Sequence, residues 1–151
     1  MPSGPGDPGP GGSLPFVDTH SVVVPAARDT VWAALQEYVA RSLLMSDRHP
    51  LGLVLGTEPR AGFAVTETVP AQRLVLSGRH RFSRYRLTFE LSDAPGGPGK
   101  APATGLRAVT DAAFPGVHGR AYRALVIGTG GHSVATNRIL RAVRRRALEA
   151  R

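Results

Sequence analysis

His80 and Glu67 are the residues of this sequence best suited to moving a proton. Each falls in an alternating run, His80 after Leu74, Leu76 and Gly78, and Glu67 after Phe63 and Val65. Alternation puts each on the apolar face of a strand, where a polar group needs a hydrogen-bond partner or water. The simpler reading is that His80 donates to a backbone carbonyl; the chemical one is that it orients a ligand carbonyl or hydroxyl. Tyr122 and His132 join them if the C-terminal helix is continuous, since Tyr122, Leu125, Thr129 and His132 then form one stripe. In a carbonyl-chemistry enzyme His80 or Glu67 would transfer the proton and Tyr122 would stabilise an oxygen. The simpler readings make Tyr122 a core residue with its hydroxyl at the rim, and His132 a neighbour of a helix start.

Other chemistries lack their residues. There is no cysteine, so disulfides and thiolate metal sites are excluded. His20, His49 and His118 show no metal-ligand spacing, and no His-Glu-x-x-His motif occurs. No Gly-x-Ser-x-Gly elbow exists for a serine nucleophile. Gly128-Thr129-Gly130-Gly131 has no Lys-Ser/Thr ending, and Ser133 stands where a dinucleotide fingerprint needs its last glycine. A hinge or close backbone passage is the better reading of that segment. No cofactor and no metal are expected.

These side chains must be positioned by one domain, since 151 residues supply a single core. Residues 1–15, mostly Gly, Pro, Ser and Asp, read as a disordered tail, which leaves 16–151 as the domain. Phe16–Val24 reads as a strand stopped by Pro25. From Asp29, a plausible N-cap, Val31, Trp32, Leu35, Val39 and Leu43 fall at helical spacing. Residues 45–50 read as loop and 51–57 as a short strand. Strands follow over Phe63–Val69, Leu74–Phe82, Tyr85–Ser92 and Leu106–Phe114, with a tight turn at Ser83-Arg84 and a mobile loop over 93–104. A register setting Leu91 opposite Leu106 places Glu90 opposite Arg107 and Arg86 opposite Asp111, two favourable charge pairs on one face. The other face then carries Leu87, Phe89, Ala108 and Thr110, with His80 expected in register with Leu87 and Thr110. Beyond Pro115 the pattern is helical, with a break or kink expected at the glycines.

Val22-Val23-Val24-Pro25 followed by Val31-Trp32-Ala33-Ala34-Leu35, then antiparallel strands ending before a long last helix, resembles the START-like superfamily, also called SRPBCC or Bet v 1-like. Gly78-Arg79-His80-Arg81-Phe82-Ser83-Arg84-Tyr85, Phe114-Pro115-Gly116, Tyr122-Arg123 and His132 match an uncharacterised actinobacterial subgroup. The resemblance implies an α+β helix-grip fold, a curved antiparallel β-sheet wrapped around a long C-terminal helix. It also implies an internal cavity for a small hydrophobic ligand such as a lipid, polyketide or isoprenoid-like molecule; the alternative is a cyclase using the same cavity. The expected lining is Phe63, Val65, Glu67, Leu76, Gly78, His80, Leu87, Phe89, Ala108, Thr110, Tyr122, Leu125 and His132. Gly78, Ala108 and Ala112 are small residues that would leave space there.

The net charge is +8, and Lys100 is the only lysine among nineteen Lys and Arg. Such charge attracts phosphate non-specifically, but the motifs that read nucleic-acid sequence are missing. Arg138, Arg141 and Arg145 form a helical stripe, read first as a solvated face and otherwise as a surface for a weak acidic partner or an anionic membrane. With no transmembrane run and no signal-peptide pattern, a cytoplasmic protein is expected.

Overall fold

The computed structural model describes residues 13–44, 62–95 and 99–150. The elements are β1 (Phe16–Val24), α1 (Arg28–Tyr38), β2 (Ala64–Val69), β3 (Arg73–His80), β4 (Ser83–Ala94), β5 (Ala103–Ala113), α2 (Gly116–Val126) and α3 (Gly131–Glu149). A π-turn, Val39–Leu43, extends α1. The strands form one antiparallel sheet in the order β1-β5-β4-β3-β2. The expected strand at 51–57, the loop at 45–50 and most of the N-terminal tail lie outside the described residues.

The charge-pair register holds. Leu91 pairs with Leu106, Glu90 with Arg107 and Arg86 with Asp111, and Arg107 Nη1 lies 3.8 Å from Glu90 Oε2. The β3–β4 turn is a correction: it falls at Arg81-Phe82, two residues before the expected Ser83-Arg84, so His80 pairs with Ser83 and Leu76 with Leu87. The change of register is even, so His80 keeps its face while losing the expected row with Leu87 and Thr110. Two further boundaries move. Ala27 rather than Asp29 is the N-cap of α1, and Asp29 lies in the first turn, where its charge suits the helix dipole. β4 and β5 run on to pair Ala94 with Ala103, shortening the expected loop.

The inner face of the sheet can be followed row by row. Leu91, Leu106 and Val22 form one row, and Leu74, Phe89, Ala108 and His20 the next. Leu76, Leu87, Thr110 and Asp18 follow, then Gly78, Tyr85 and Ala112. Polarity therefore rises along the strands. α3 runs along the same gradient. Its inward residues His132, Thr136, Leu140, Val143 and Ala147 recur every three or four positions, polar first and apolar later.

Over the apolar rows the packing is dry. Phe89, Leu35, Leu76, Leu106, Leu140, Val24, Val31 and Val143 are almost fully buried, and α1 packs against α3 there. Burying a side chain of this kind contributes ~1.5–3 kcal/mol, so this half holds the fold together. Outside it, Arg146 ion-pairs with Glu37 at 3.3 Å and lies over the Tyr38 ring. Arg138, Arg141 and Arg145 are exposed. No helix among the described residues is long and apolar enough to cross a membrane.

Candidate functional site

Over the polar rows the covering helix breaks. α2 ends at Val126 with Ile127 as its C-cap, and α3 restarts from Gly130, whose φ of 73° suits a residue without Cβ. The expected break is thus real, and it separates Tyr122 from His132. Only Gly119 of α2 is buried. Between α2, the start of α3 and the sheet lies a pocket of about 240 Å³. β3, β4 and β5 supply His80, Ser83, Tyr85, Arg86, Leu87, Thr110 and Ala112 to its wall. Phe63, Phe114, Tyr122, Val126, Ile127 and His132 complete it.

Aromatic rings dominate this wall. Tyr122 meets His80 edge to face at 4.8 Å and stacks on Phe82 at 5.9 Å. Phe63 meets Tyr85 edge to face at 5.1 Å. Such pairs add ~0.5–1.5 kcal/mol beyond their burial. The Tyr85 hydroxyl donates to the Gly62 carbonyl. Burial, with the Tyr122 phenol adding to it, pushes Tyr85 up to about 12. Burial raises Tyr122 as well. The Tyr122 hydroxyl bonds to none of the described residues, so it is a polar point available to a guest.

Both ring nitrogens of His80 are engaged. The Phe82 amide donates to Nδ1 at 3.1 Å, which places the ring proton on Nε2, and Nε2–H then donates to Ser83 Oγ at 2.9 Å. Burial lowers the His80 pKa, which favours this neutral form. His80 is therefore a brace across its own hairpin. It accepts from an amide where the sequence suggests donation to a carbonyl. With Nδ1 filled, it has no lone pair to serve as a base, and the proton of Ser83 Oγ is left to point elsewhere.

A second polar cluster lies behind the other wall and reaches the pocket through Thr110 and His132. The Asp18 carboxylate can only accept, so His20 Nε2–H donates to Oδ2 at 3.0 Å and His132 Nε2–H to Oδ1 at 3.2 Å. His132 Nε2 also lies 3.0 Å from Thr110 Oγ1, and Ser133 Oγ donates to Asp18 at 3.4 Å. Asn137 Nδ2 donates to the Ser133 carbonyl and to His20 Nδ1, which sets the His20 tautomer. Burial alone would raise the Asp18 carboxyl, but the His20 hydrogen bond and the charges of His132 and His20 outweigh it and hold the group below its ordinary range. The first turn of α3, beside the carboxylate, favours the anion too.

Of the residues expected to line the site, Phe63, His80, Leu87, Thr110, Tyr122 and His132 do so. Leu76, Phe89 and Ala108 belong instead to the dry core. Glu67 is a correction. A bulge between Val65 and Glu67 shifts the register by one, so Glu67 faces outward and ion-pairs with Arg73 at 3.6 Å. Val65 stays in register with Leu76 but is 43% exposed near the sheet edge. Leu125 shares α2 with Tyr122 ahead of the break but is 66% exposed, because the pocket-facing side of α2 runs through Tyr122 and Val126. Gly78 leaves no space either. The Tyr85 ring covers it, and a Cβ there would stand 2.1 Å from the Gly62 carbonyl oxygen. Asp18 and His20 were missed. They sit four and two residues before Val22, so alternation from the inward valines was the signal for them. Among the described residues no group of three His, Cys, Asp or Glu side chains is arranged to hold a metal.

No family model matches the chain, and no curated protein matches it. Solved structures do. A conserved protein from Geobacillus kaustophilus aligns with a TM-score of 0.54 at 11% identity, covering 87% of this chain and 95% of that one. A START superfamily protein from Mycobacterium smegmatis aligns with a TM-score of 0.52 at 14% identity, covering 90% and 99%. With the five-stranded antiparallel sheet and its C-terminal helix, these likenesses establish an α+β fold of the START-like, helix-grip type.

Proposed function

We propose that this chain is a binding module for a small, flat, largely apolar molecule held in the pocket beneath the helix break. The observation that carries this is a space of about 240 Å³ walled by aromatic rings, beside a hydroxyl on Tyr122 that no described residue uses. The pocket is partly open to solvent, so a guest that enters it displaces water from a mostly apolar wall. The pocket's volume also narrows the ligand. It exceeds the ~150 Å³ that encloses benzene and falls below the ~300–1,000 Å³ of sites for drug-sized molecules. A compound of one or two rings fits, whereas a sterol or diacyl lipid overfills the space. A ring system hiding ~150–250 Å² contributes ~4–6 kcal/mol before ordering costs, so polar contacts must supply affinity beyond roughly tens of micromolar. The reading treats residues 16–151 as one such domain.

Cyclase chemistry through His80 or Glu67 is not favoured, because one has both nitrogens engaged and the other faces outward. Saturation-transfer NMR with indole tests the binding reading. Transfer from the protein to indole, lost in Tyr122→Ala, is expected. No transfer at millimolar indole, or undiminished transfer in the variant, overturns it.

A further inference from the structure

We infer that Asp18 and His132 form a proton-accepting pair, and that the pocket's ligand carries an acidic hydroxyl, a phenol or an enol. This rests on the pocket reading above and goes beyond it by naming the group recognised. Two of the inward-facing rows of β1 bring Asp18 and His20 up against the first turns of α3. The Asp18 carboxylate, able only to accept, takes the Nε2–H of His132. The same Nε2 serves Thr110 Oγ1 at 3.0 Å and comes within 3.5 Å of Thr136 Oγ1. All recorded bonds of the ring therefore fall on one nitrogen. In the neutral ring Nδ1 is then an unprotonated acceptor, and no described residue donates to it. His132 itself lines the pocket.

This is the reverse of His80, whose Nδ1 is filled by a backbone amide. Of the two histidines on the pocket wall, only His132 keeps a lone pair free, and only His132 has a carboxylate behind it to stabilise the imidazolium. The step balances simply. The ligand's O–H bond breaks, an N–H bond forms at His132 Nδ1, and the electron pair stays on the ligand oxygen. The imidazolium then lies between two anions, Asp18 and the ligand oxyanion. The Tyr122 hydroxyl, which bonds to none of the described residues, can donate to that oxyanion. The titratable or charged groups facing His132 are Asp18 and His20 on β1, with His80, Tyr85, Arg86 and Tyr122 around the pocket. Asp18 acts through His132 and is a positioning residue.

The test uses the full-length protein with 4-nitrophenol, whose anion is yellow, and its methyl ether 4-nitroanisole, which has no proton to give. At a pH where the free phenol is mostly neutral, the bound phenol should be yellow and bind about tenfold or more tighter than the ether, as a charge-assisted hydrogen bond requires. Asp18→Asn should abolish the phenol's advantage over the ether, read as the ratio of the two affinities in the same variant, with circular dichroism confirming that the variant is folded. Histidine ¹⁵N shifts of the wild type should show the neutral His132 ring carrying its proton on Nε2, and binding of the phenol should perturb Nδ1; this stands even if Asp18→Asn does not fold. Equal binding of phenol and ether, or a free His132 protonated at Nδ1, overturns the inference while leaving the pocket reading intact. Binding of neither compound overturns both.

Discussion

The inner face of the sheet has two halves that solve the same problem differently. Both lie under helix, and both are built from alternating strand residues. In one, Leu140, Val143 and Ala147 of α3 are buried in one cluster with Phe89, Leu106 and Leu76. In the other, the helix is interrupted at residues 127–130, α2 buries only Gly119, and the sheet offers Thr110, Tyr85 and Ala112 to a pocket. The difference teaches that stability and recognition are divided along the strand direction. The apolar rows hold the fold, and the polar rows are free to be shaped for a guest.

Substitutions should separate the halves, and the largest effect belongs to the dry one. Phe89→Ala or Leu140→Ala removes a fully buried side chain and should cost ~2–5 kcal/mol in chemical denaturation. Tyr122→Phe removes a hydroxyl that no described residue bonds, and its stability should stay within ~0.5 kcal/mol of wild type. A large loss from Tyr122→Phe would erase the contrast. Gly78→Ala forces a Cβ against the Gly62 carbonyl and the Tyr85 ring, so a penalty of ~1–3 kcal/mol from overpacking is expected at the boundary between the halves.

Acid should unsettle the polar half in two stages. The folded His80 pKa lies below its ordinary 6.5, so its contribution is whole above that pH and is lost as pH falls through the lowered value. The folded Asp18 pKa lies below 3.8, so its contribution is whole above that pH and is lost as pH falls further. His80→Gln should flatten the first stage and Asp18→Asn the second in melting curves followed against pH. Unchanged acid profiles in both variants would remove these residues from the account. A milder effect lies in a turn packed beside the core. Ala71 adopts φ 56° in the β2–β3 turn, and Ala71→Gly should gain ~0.5–1 kcal/mol by relieving that strain.

What could be read from the sequence followed the same division. Strand order, the β4–β5 register and the break at the glycines were legible, because alternation, opposed charges and clustered glycine each have one main structural meaning. Glu67 was misplaced because a bulge inserts a residue without leaving a mark in the hydrophobic pattern. Leu125 was misplaced because the inward side of α2 follows Tyr122 and Val126, four apart, and not Tyr122 and Leu125, three apart. Asp18 and His20 lay in the same alternation as Val22 and Val24 but were hidden by their polarity, since a search for apolar residues stops where a functional wall begins.

The central claim, that one half is core and the other a binding site, is tested most directly by amide chemical-shift mapping during titration with indole. Shifts concentrated at Ala112, Tyr122 and His132, with Phe89, Leu140 and Val143 unmoved, are the predicted result. Shifts centred on Leu140 and Val143, or none anywhere at millimolar indole, would contradict it.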